Sequence, residues 1–227
     1  SRIFLNIHYI GPSRATGERD YRIQELAVGE IDSRGENLAM FLTSLNSRER
    51  TNFSNWTEKY LGYAVEADRR AGHVSVMLRE QGSKNWYNLA DVGYGMSQVL
   101  PVFAQIWAQS FVGQNSSRYN LLVIEQPELH LHPAFQAKIG DALAGAIAER
   151  REREGEPSNT NRPPPHMIVE THSRQLVNRI GEMIKTGIIS NSDVALYIFD
   201  KGSVDDPTTI EESSYDEDGD LRDWPYG

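Results

Sequence analysis

The segment that decides the fold is LLVIEQPELHLHP, at residues 121–133. Its first four residues form a continuous apolar run, which is typical of a central strand in a parallel β-sheet. The polar residues from Glu125 onward follow the end of that strand, and Pro133 is well suited to begin a helix. Because ligands bind at the carboxyl ends of parallel strands, we expect the chemistry of the protein at this edge.

The residues after this segment alternate between helix and strand patterns. The helix predicted from Pro133 has apolar side chains at every fourth position, and Ser173 is a typical N-cap for the next helix. The predicted elements are a helix at 133–152, a surface loop at 154–165, a strand at 167–169, a helix at 173–185 and a strand at 194–199. This order predicts an α/β fold with crossover helices and a parallel sheet, in which 194–199 is the third strand of the run.

The residues before the segment predict a first strand and a separate helical and hairpin lobe. A buried strand is expected from Ile3 to Ile10, and Ala71-Gly72 is expected to form a hairpin turn. The other predicted elements are helices at 36–45 and 52–61, hairpin strands at 65–70 and 73–78, a short strand at 86–89 and a buried helix at 96–110 with Pro101 in its first turns. The expected units are a strand and loop of the core at 1–19, the lobe at 20–88, the rest of the core at 89–199 and an acidic segment at 200–227.

The composition excludes several classes of protein. Hydrophobic residues make up 39% of the 227 residues, which is typical of a globular protein. The chain has no cysteine, so disulfides, thiolate metal ligands and thiol nucleophiles are excluded, and a reducing cytoplasm is the expected location. No apolar run approaches about 18 residues, so we expect no membrane span.

The net charge of −9 is concentrated at one end of the chain. From Asp200 onward there are ten acidic and two basic residues, a net −8, which leaves −1 for residues 1–199. We expect the acidic segment to be a solvated edge. The arginines of the body are scattered among acidic residues, so the sequence contains no visible DNA-binding stripe.

Two predicted strands end in polar clusters, at 125–133 and at 170–173. A carboxylate such as Glu125 directly after an apolar strand is the arrangement in which an acid helps to hold Mg²⁺ beside nucleotide phosphates. His172, after the next strand, can reach a γ-phosphate across the sheet. Upstream, Gly93 and Gly95 precede a predicted helix, where free backbone N–H groups can bind an anion.

Five segments occur in an order and spacing that resemble a known family. They are YIGPSR at 9–14, DVGYGMSQVLPV at 91–102, LLVIEQPELHLHP at 121–133, IVETHS at 168–173 and DEDGDLRDWPYG at 216–227. Together they resemble the C-terminal half of a bacterial AAA family ATPase of the ABC-type RecF/SMC/OLD-like branch. More narrowly, they resemble a subfamily with a C-terminal domain of unknown function that ends in Gly…Trp-Pro.

The resemblance implies the C-terminal part of a P-loop NTPase sheet with a small helical and β-hairpin insertion, and ATP and Mg²⁺ as cofactors. By the same resemblance, Glu125 takes the position of the acid that holds Mg²⁺ through water. Gln126 stands where the family has its hydrolytic glutamate, and Glu128 is the nearest replacement base. His172 resembles the histidine that senses the γ-phosphate.

The resemblance also implies a homodimer in which nucleotide lies between two ATPase heads. Segment 129–133 resembles the D-loop, which crosses to the partner head, and Gly93 stands at the position of the usual signature serine. Arg14 is a candidate contact to phosphate or to that interface. The residues expected to contact nucleotide across the dimer are Gly93, Gly95, Ser97, Gln98, His130 and His132.

Two departures from the family pattern affect the expected activity. The amide of Gln126 has no useful basicity near neutral pH, so hydrolysis would rest on Glu128 or be slow. The sequence contains no G-x-x-x-x-G-K-[ST] motif. The family has this phosphate loop in an N-terminal portion, so we expect the chain to be a fragment that binds ATP poorly by itself.

Three functions follow as hypotheses. The first is an ATPase head that acts on a partner or effector protein in bacterial defence or DNA maintenance. The second is a nucleotide-gated scaffold without hydrolysis, for which Gln126 and Gly93 are the reason. The third is a metal-dependent hydrolase, whose candidate ligands are Glu125, Glu128, His130, His132, His166 and His172.

Overall fold

A computed structural model describes residues 5–23, 28–111, 119–152 and 166–222. In chain order its elements are β1 (Leu5–Ile10), β2 (Tyr21–Arg22), α1 (Leu38–Ser44), α2 (Ser47–Leu61), β3 (Tyr63–Arg70), β4 (His73–Glu80), β5 (Tyr87–Asn88), α3 (Leu89–Val92), α4 (Tyr94–Phe111), β6 (Tyr119–Glu125), α5 (Pro133–Glu152), β7 (His166–Glu170), α6 (Arg174–Lys185), a 3-10 turn (Asn191–Asp193), β8 (Leu196–Asp200), β9 (Thr209–Tyr215) and β10 (Leu221–Arg222). The predicted α/β fold class, with a parallel sheet and helices, is confirmed.

The parallel sheet has the order β1–β6–β7 among the described residues. Its register pairs Ile10 with Ile124 and Glu125 with Glu170, so the carboxyl ends of the three strands meet at one edge. One face of the sheet is buried, with Ile10 and Ile124 fully covered, whereas Ile168 on the other face is 56% exposed. The apolar run before Glu125 therefore forms the predicted central strand.

The core lies between the buried face of the sheet and helices α1, α2, α4, α5 and α6. Trp107 of α4 is its centre, with its ring edge-on to Phe53 at 5.1 Å and to Phe41 at 6.4 Å between ring centroids. The indole N–H of Trp107 donates to Asn52 Oδ1 at 2.7 Å, so this buried polar group is satisfied. These contacts join the predicted lobe to the predicted core.

The lobe contains the predicted helices and hairpin, in an antiparallel sheet ordered β2–β4–β3 with β5 beside β4. Helix α2 begins at Ser47 rather than at residue 52. The reason is a capping box, in which Asn46 accepts from the Glu49 backbone N–H and Glu49 accepts from the Asn46 backbone N–H. The predicted turn at Ala71-Gly72 is confirmed by the pairing of Arg70 with His73.

The position predicted for Pro101 is wrong. Helix α4 begins at Tyr94, two residues before the expected start, so Pro101 lies in the helix interior and not in the first turns. A Pro interrupts the hydrogen bonding of a helix, and here tertiary packing compensates. Gly35 lies directly against the ring, because a Cβ at Gly35 would be 2.5 Å from Pro101 Cβ and Cγ.

The strand predicted at 194–199 forms, as β8, but its predicted sheet is wrong among the described residues. It pairs antiparallel with β9, in a sheet ordered β10–β9–β8, and not with β7. The acidic segment supplies the partner strand, so it is more than a solvated edge. Tyr215 is buried and donates to the carbonyl of Val177 in α6 at 2.8 Å, while Glu211 and Glu212 remain exposed.

Some predictions lie outside the described residues: the strand residues Ile3 and Phe4, the loop at 154–165 and the end of the chain at 223–227. The division into four units stays a prediction. Across the described ranges, no helix combines the length and the hydropathy needed to span a membrane.

Candidate functional site

The candidate site lies at the carboxyl edge of the parallel sheet. Glu125 and Glu170 end adjacent strands and are paired in register, so both carboxylates emerge on the same face. Glu125 Oε2 accepts a hydrogen bond from Tyr9 Oη at 2.9 Å. This hydrogen bond is the main cause that raises the pKa of the Tyr9 phenol. Glu125 is thus oriented by a neighbouring strand and only half-buried.

Residues 126–132 connect β6 to α5 and are called the β6–α5 turn. Gln126 has a φ of +41° and His130 a φ of +63°, values that residues other than glycine rarely adopt. The Gln126 N–H donates to the carbonyl of Glu170 at 2.9 Å, and the Leu129 N–H donates to the carbonyl of Gln126 at 3.1 Å. The turn is therefore strained but well bonded, as is common at functional sites.

Glu128 joins the two predicted polar clusters. Its Oε1 accepts from the backbone N–H of His172 at 2.7 Å. Its Oε2 is buried and has no hydrogen-bond partner among the described residues. The carboxylate thus has one oxygen held by a hydrogen bond and one buried oxygen without a hydrogen-bond partner among the described residues.

The side chain of His172 is exposed beside this contact, and Ser173 then begins α6. Ser173 Oγ accepts from the Leu176 N–H at 3.1 Å and donates to Gln136 Oε1 at 2.7 Å. The Gln136 amide in turn donates to the carbonyl of Leu131 at 3.0 Å. Gln136 is therefore a supporting residue that the sequence reasoning missed, because it lies within an ordinary helical pattern.

Arg14 lies beneath the β6–α5 turn and is only 3% exposed. Its guanidinium donates to the carbonyls of Gly11 at 3.0 Å, Pro127 at 3.2 Å and Gln126 at 3.5 Å. Burial lowers the pKa of Arg14, although the charge of Glu128 opposes this shift. The expected contact of Arg14 with phosphate or an interface stays a prediction, while the observed guanidinium is bonded to backbone carbonyls inside the protein.

The first turn of α4 lies beside the β6–α5 turn. Gly93 is exposed with a φ of +107°, a conformation suited to glycine. A Cβ at Gly95 would lie 3.7 Å from Leu131 Cδ2, so this backbone passes close to the turn. The ring of Tyr94 is edge-on to that of His130 at 5.7 Å between centroids. The signature-like and D-loop-like segments thus meet within one chain.

Ser97 and Gln98 face the protein interior. Ser97 Oγ donates to the carbonyl of Tyr94 at 2.7 Å. Gln98 is 1% exposed, and its amide donates to the carbonyls of Ala15 at 3.2 Å and Arg14 at 3.4 Å. Their contact with nucleotide stays a prediction, while the observed contacts hold α4 against the segment that carries Arg14.

Of the four histidines of the proposed metal centre, His166 lies at the opposite end of the sheet from the others. His166 begins β7 opposite Leu121, at the edge away from Glu170. His132 Nδ1 accepts from the Ala134 N–H at 3.3 Å, at the start of α5. Within the described part of the chain, no group of three or more His, Asp or Glu residues is arranged to hold a metal ion. The geometry thus gives the metal-hydrolase hypothesis no site.

Comparison with known proteins identifies the family of the chain. The family model described as AAA ATPase domain matches residues 19–177, which is more than half of the chain. The match includes α4, β6, β7 and the β6–α5 turn, while Arg14 and the sheet of β8, β9 and β10 lie outside it. No curated protein matches the chain.

Proposed function

Because the chain belongs to the AAA ATPase domain family, we propose that it is the ATP-binding and hydrolysing head of an ABC-type ATPase. The observation that carries this proposal is the convergence of Glu125, Glu128 and His172 at one edge of the parallel sheet. The hydrogen bond of 2.7 Å from the His172 N–H to Glu128 Oε1 joins the segments that follow β6 and β7. The proposal requires these two segments to lie together. General use of ATP follows from the family, and the ABC-type assignment rests on the motifs.

Glu125 fits the role of the acid that holds Mg²⁺ through water. Mg²⁺ binds carboxylate oxygens and keeps several waters, so one half-buried carboxylate is a suitable donor. The Tyr9 hydroxyl donates to one oxygen of Glu125 and orients the group. When bound, the ion would neutralise charge on the transferred phosphoryl group.

Glu128 is the proposed base, because the amide of Gln126 cannot accept a proton near neutral pH. Its Oε1 is held by the His172 N–H, and its buried Oε2 has no partner among the described residues. In this proposal, the Glu128 carboxylate takes the proton from water as the water oxygen attacks the γ-phosphorus and the bond to ADP breaks. His172 is proposed to contact the γ-phosphate through its exposed imidazole, while its backbone N–H donates to Glu128 Oε1.

The phosphate-binding loop of the proposed site comes from outside these residues, since the sequence contains no G-x-x-x-x-G-K-[ST] motif. Two features support this assignment. Both β7 and β8 are end strands of their sheets among the described residues, so each can pair with a further strand. Ile168, Tyr197 and Phe199 on these strands are between 56% and 67% exposed, which favours coverage by another segment.

The proposed assembly is a homodimer with nucleotide between the heads, which controls a partner or effector protein in bacterial defence or DNA maintenance. Support comes from the exposed corner where Gly93, Tyr94 and His130 lie together. The role in defence or DNA maintenance rests on the motif resemblance alone.

A second candidate function is a nucleotide-gated scaffold that binds ATP without hydrolysing it. Gln126 at the usual glutamate position favours it, because removal of that carboxylate removes the expected base.

The test is phosphate release by the longest natural polypeptide that contains these residues. Glu128→Gln should lower kcat by about 100-fold or more, the range for loss of a general base. Gln126→Ala should change kcat little, and Glu66→Gln, an exposed carboxylate on β3, is the matched control. Tight ATP binding without phosphate release would support the scaffold and contradict hydrolysis. Absence of ATP binding would contradict both functions.

A further inference from the structure

We propose that Arg14 is a positioning residue that couples the first turns of α4 to the β6–α5 turn and, through Glu128, to His172. The proposal rests on the proposed function for its catalytic meaning, but its structural content can be measured without nucleotide. Arg14 touches no reacting group in this arrangement. Its contacts are the carbonyls of the turn on one side and the amide of Gln98 on the other.

The guanidinium of Arg14 lies in the protein interior. Arg14 is 3% exposed, and no carboxylate lies within ion-pair distance of it in the described ranges. A buried charge without a paired charge is unfavourable unless hydrogen bonds compensate. Here the carbonyls of Gly11, Gln126 and Pro127 accept from the guanidinium and the charge of Glu128 acts in the same direction, while Nε has no hydrogen-bond partner among the described residues. Arg14 is therefore held by specific hydrogen bonds and not by packing alone.

The β6–α5 turn that Arg14 contacts is strained at Gln126. Gln126 adopts a φ of +41°, and the guanidinium bonds to the carbonyls of Gln126 and of the next residue, Pro127. Such a conformation persists only when surrounding contacts determine it. Loss of the arginine donors therefore releases the turn toward other conformations, and Glu128 moves with it.

Arg14 also contacts α4, through its backbone carbonyl. Gln98 is 1% exposed, and its amide donates to the carbonyls of Arg14 and Ala15. Gln98 lies one helical turn after Gly95, whose backbone passes beside Leu131. A displacement of the start of α4 is therefore transmitted to the backbone of Arg14, and its side chain transmits it to the turn.

Glu128 connects the β6–α5 turn to His172. Glu128 follows the carbonyls that Arg14 holds, and its Oε1 accepts from the His172 N–H at 2.7 Å. Hydrogen bonds thus join Gln98 to Arg14 and Arg14 to the carbonyls of Gln126 and Pro127, and the backbone continues from Pro127 to Glu128, which bonds to His172. Spatial continuity alone does not establish coupling, so the test must measure an interaction between distant positions.

The experiment is amide hydrogen exchange by NMR on the nucleotide-free chain, with variants Arg14→Met, Arg14→Lys and Gln98→Met. In Arg14→Met, the amides of Leu129, Leu131 and His172 should exchange about tenfold faster, while those of the β3–β4 hairpin stay unchanged. Arg14→Lys should be intermediate, because an ammonium keeps the charge but reaches fewer carbonyls. If Arg14→Met does not fold, the lysine variant carries the measurement. Arg34→Met, which removes an exposed arginine paired with Glu36, is the control.

The double variant Arg14→Met/Gln98→Met tests the coupling. Because Gln98 acts through Arg14 in this proposal, the double variant should exchange at the His172 amide no faster than Arg14→Met alone. Additive effects, or an unchanged His172 amide in both arginine variants, would overturn the proposal. This outcome is independent of whether the protein hydrolyses ATP.

Kinetics in the longest natural polypeptide separate positioning from direct binding. Arg14→Lys should lower kcat by about tenfold and leave KM for ATP within twofold of wild type. A rise in KM at unchanged kcat would mean that Arg14 contacts the nucleotide, and the positioning role would be wrong. If no hydrolysis is detected in any variant, the proposed function fails while the exchange result still decides the role of Arg14.

Discussion

The β6–α5 turn and the β3–β4 hairpin turn each contain a residue other than glycine with a positive φ of nearly the same value. Gln126 has a φ of +41° and Ala71 a φ of +45°. The hairpin needs positive φ because a two-residue turn must match the twist of its two strands, and its residues are exposed. The β6–α5 turn is held instead by distant groups, including Arg14 and the carbonyl of Glu170. One strained turn is thus determined locally and the other by tertiary contacts.

The largest expected effect that separates the two turns is that of Arg14→Met. We expect the free energy of unfolding to fall by about 3 kcal/mol, because buried carbonyls of the β6–α5 turn lose their donor. Urea unfolding followed by tryptophan fluorescence measures this change. Arg34→Met, the exposed control, should change the free energy by less than about 0.5 kcal/mol. Equal losses in the two variants would show that the turn does not depend on Arg14.

A smaller loss is expected from Gly72→Ala in the hairpin. A Cβ at Gly72 would meet nothing within 4 Å, so the only cost is the φ of +83°. A left-handed conformation at an alanine costs about 1 kcal/mol in the free energy of unfolding. Gly29→Ala is the matched control, because its Cβ also meets nothing within 4 Å and its φ lies outside that region. A loss at Gly72 of the size seen for Arg14 would contradict a purely local cause.

The smallest expected effect is a gain from Ala71→Asn. Asparagine tolerates the left-handed region better than alanine and is favoured before glycine in this type of turn, so stability should rise by about 0.5 kcal/mol. Thermal unfolding is the appropriate measurement. Gln81→Asn, at an exposed loop position whose φ is not positive, should give no gain. A similar gain at both positions would mean that the hairpin strain is not what asparagine relieves.

The candidate site was largely predictable because its residues lie next to short strand patterns that can be recognised in the sequence. Glu125 directly follows its apolar strand, and parallel pairing then brings it beside Glu170 and close to His172. Each of these inferences needs only the pattern of one strand and the rule that parallel strands end at a common edge. The hairpin at Ala71-Gly72 was predictable for the same reason.

Other features could not be predicted, since they depend on which distant segments meet. The interior position of Pro101 depends on Gly35, which packs against its ring from 66 residues away in the chain. The pairing of β8 depends on β9, a strand within a segment whose acidic composition indicated only a solvated edge. The inward orientation of Arg14 depends on carbonyls of residues 126 and 127.

The amino-acid sequence alone was sufficient to identify the α/β class, the strand that ends in Glu125, the two polar clusters and the lack of a phosphate-loop motif. These are properties of neighbouring residues, and short-range preferences determine them. The structure was needed to show that Glu128 accepts from the His172 N–H and that Arg14 donates to a carbonyl of the β6–α5 turn. The buried hydrogen bond from Arg14 to Pro127 joins groups more than 100 residues apart, and it forms only after the chain has brought those groups out of water.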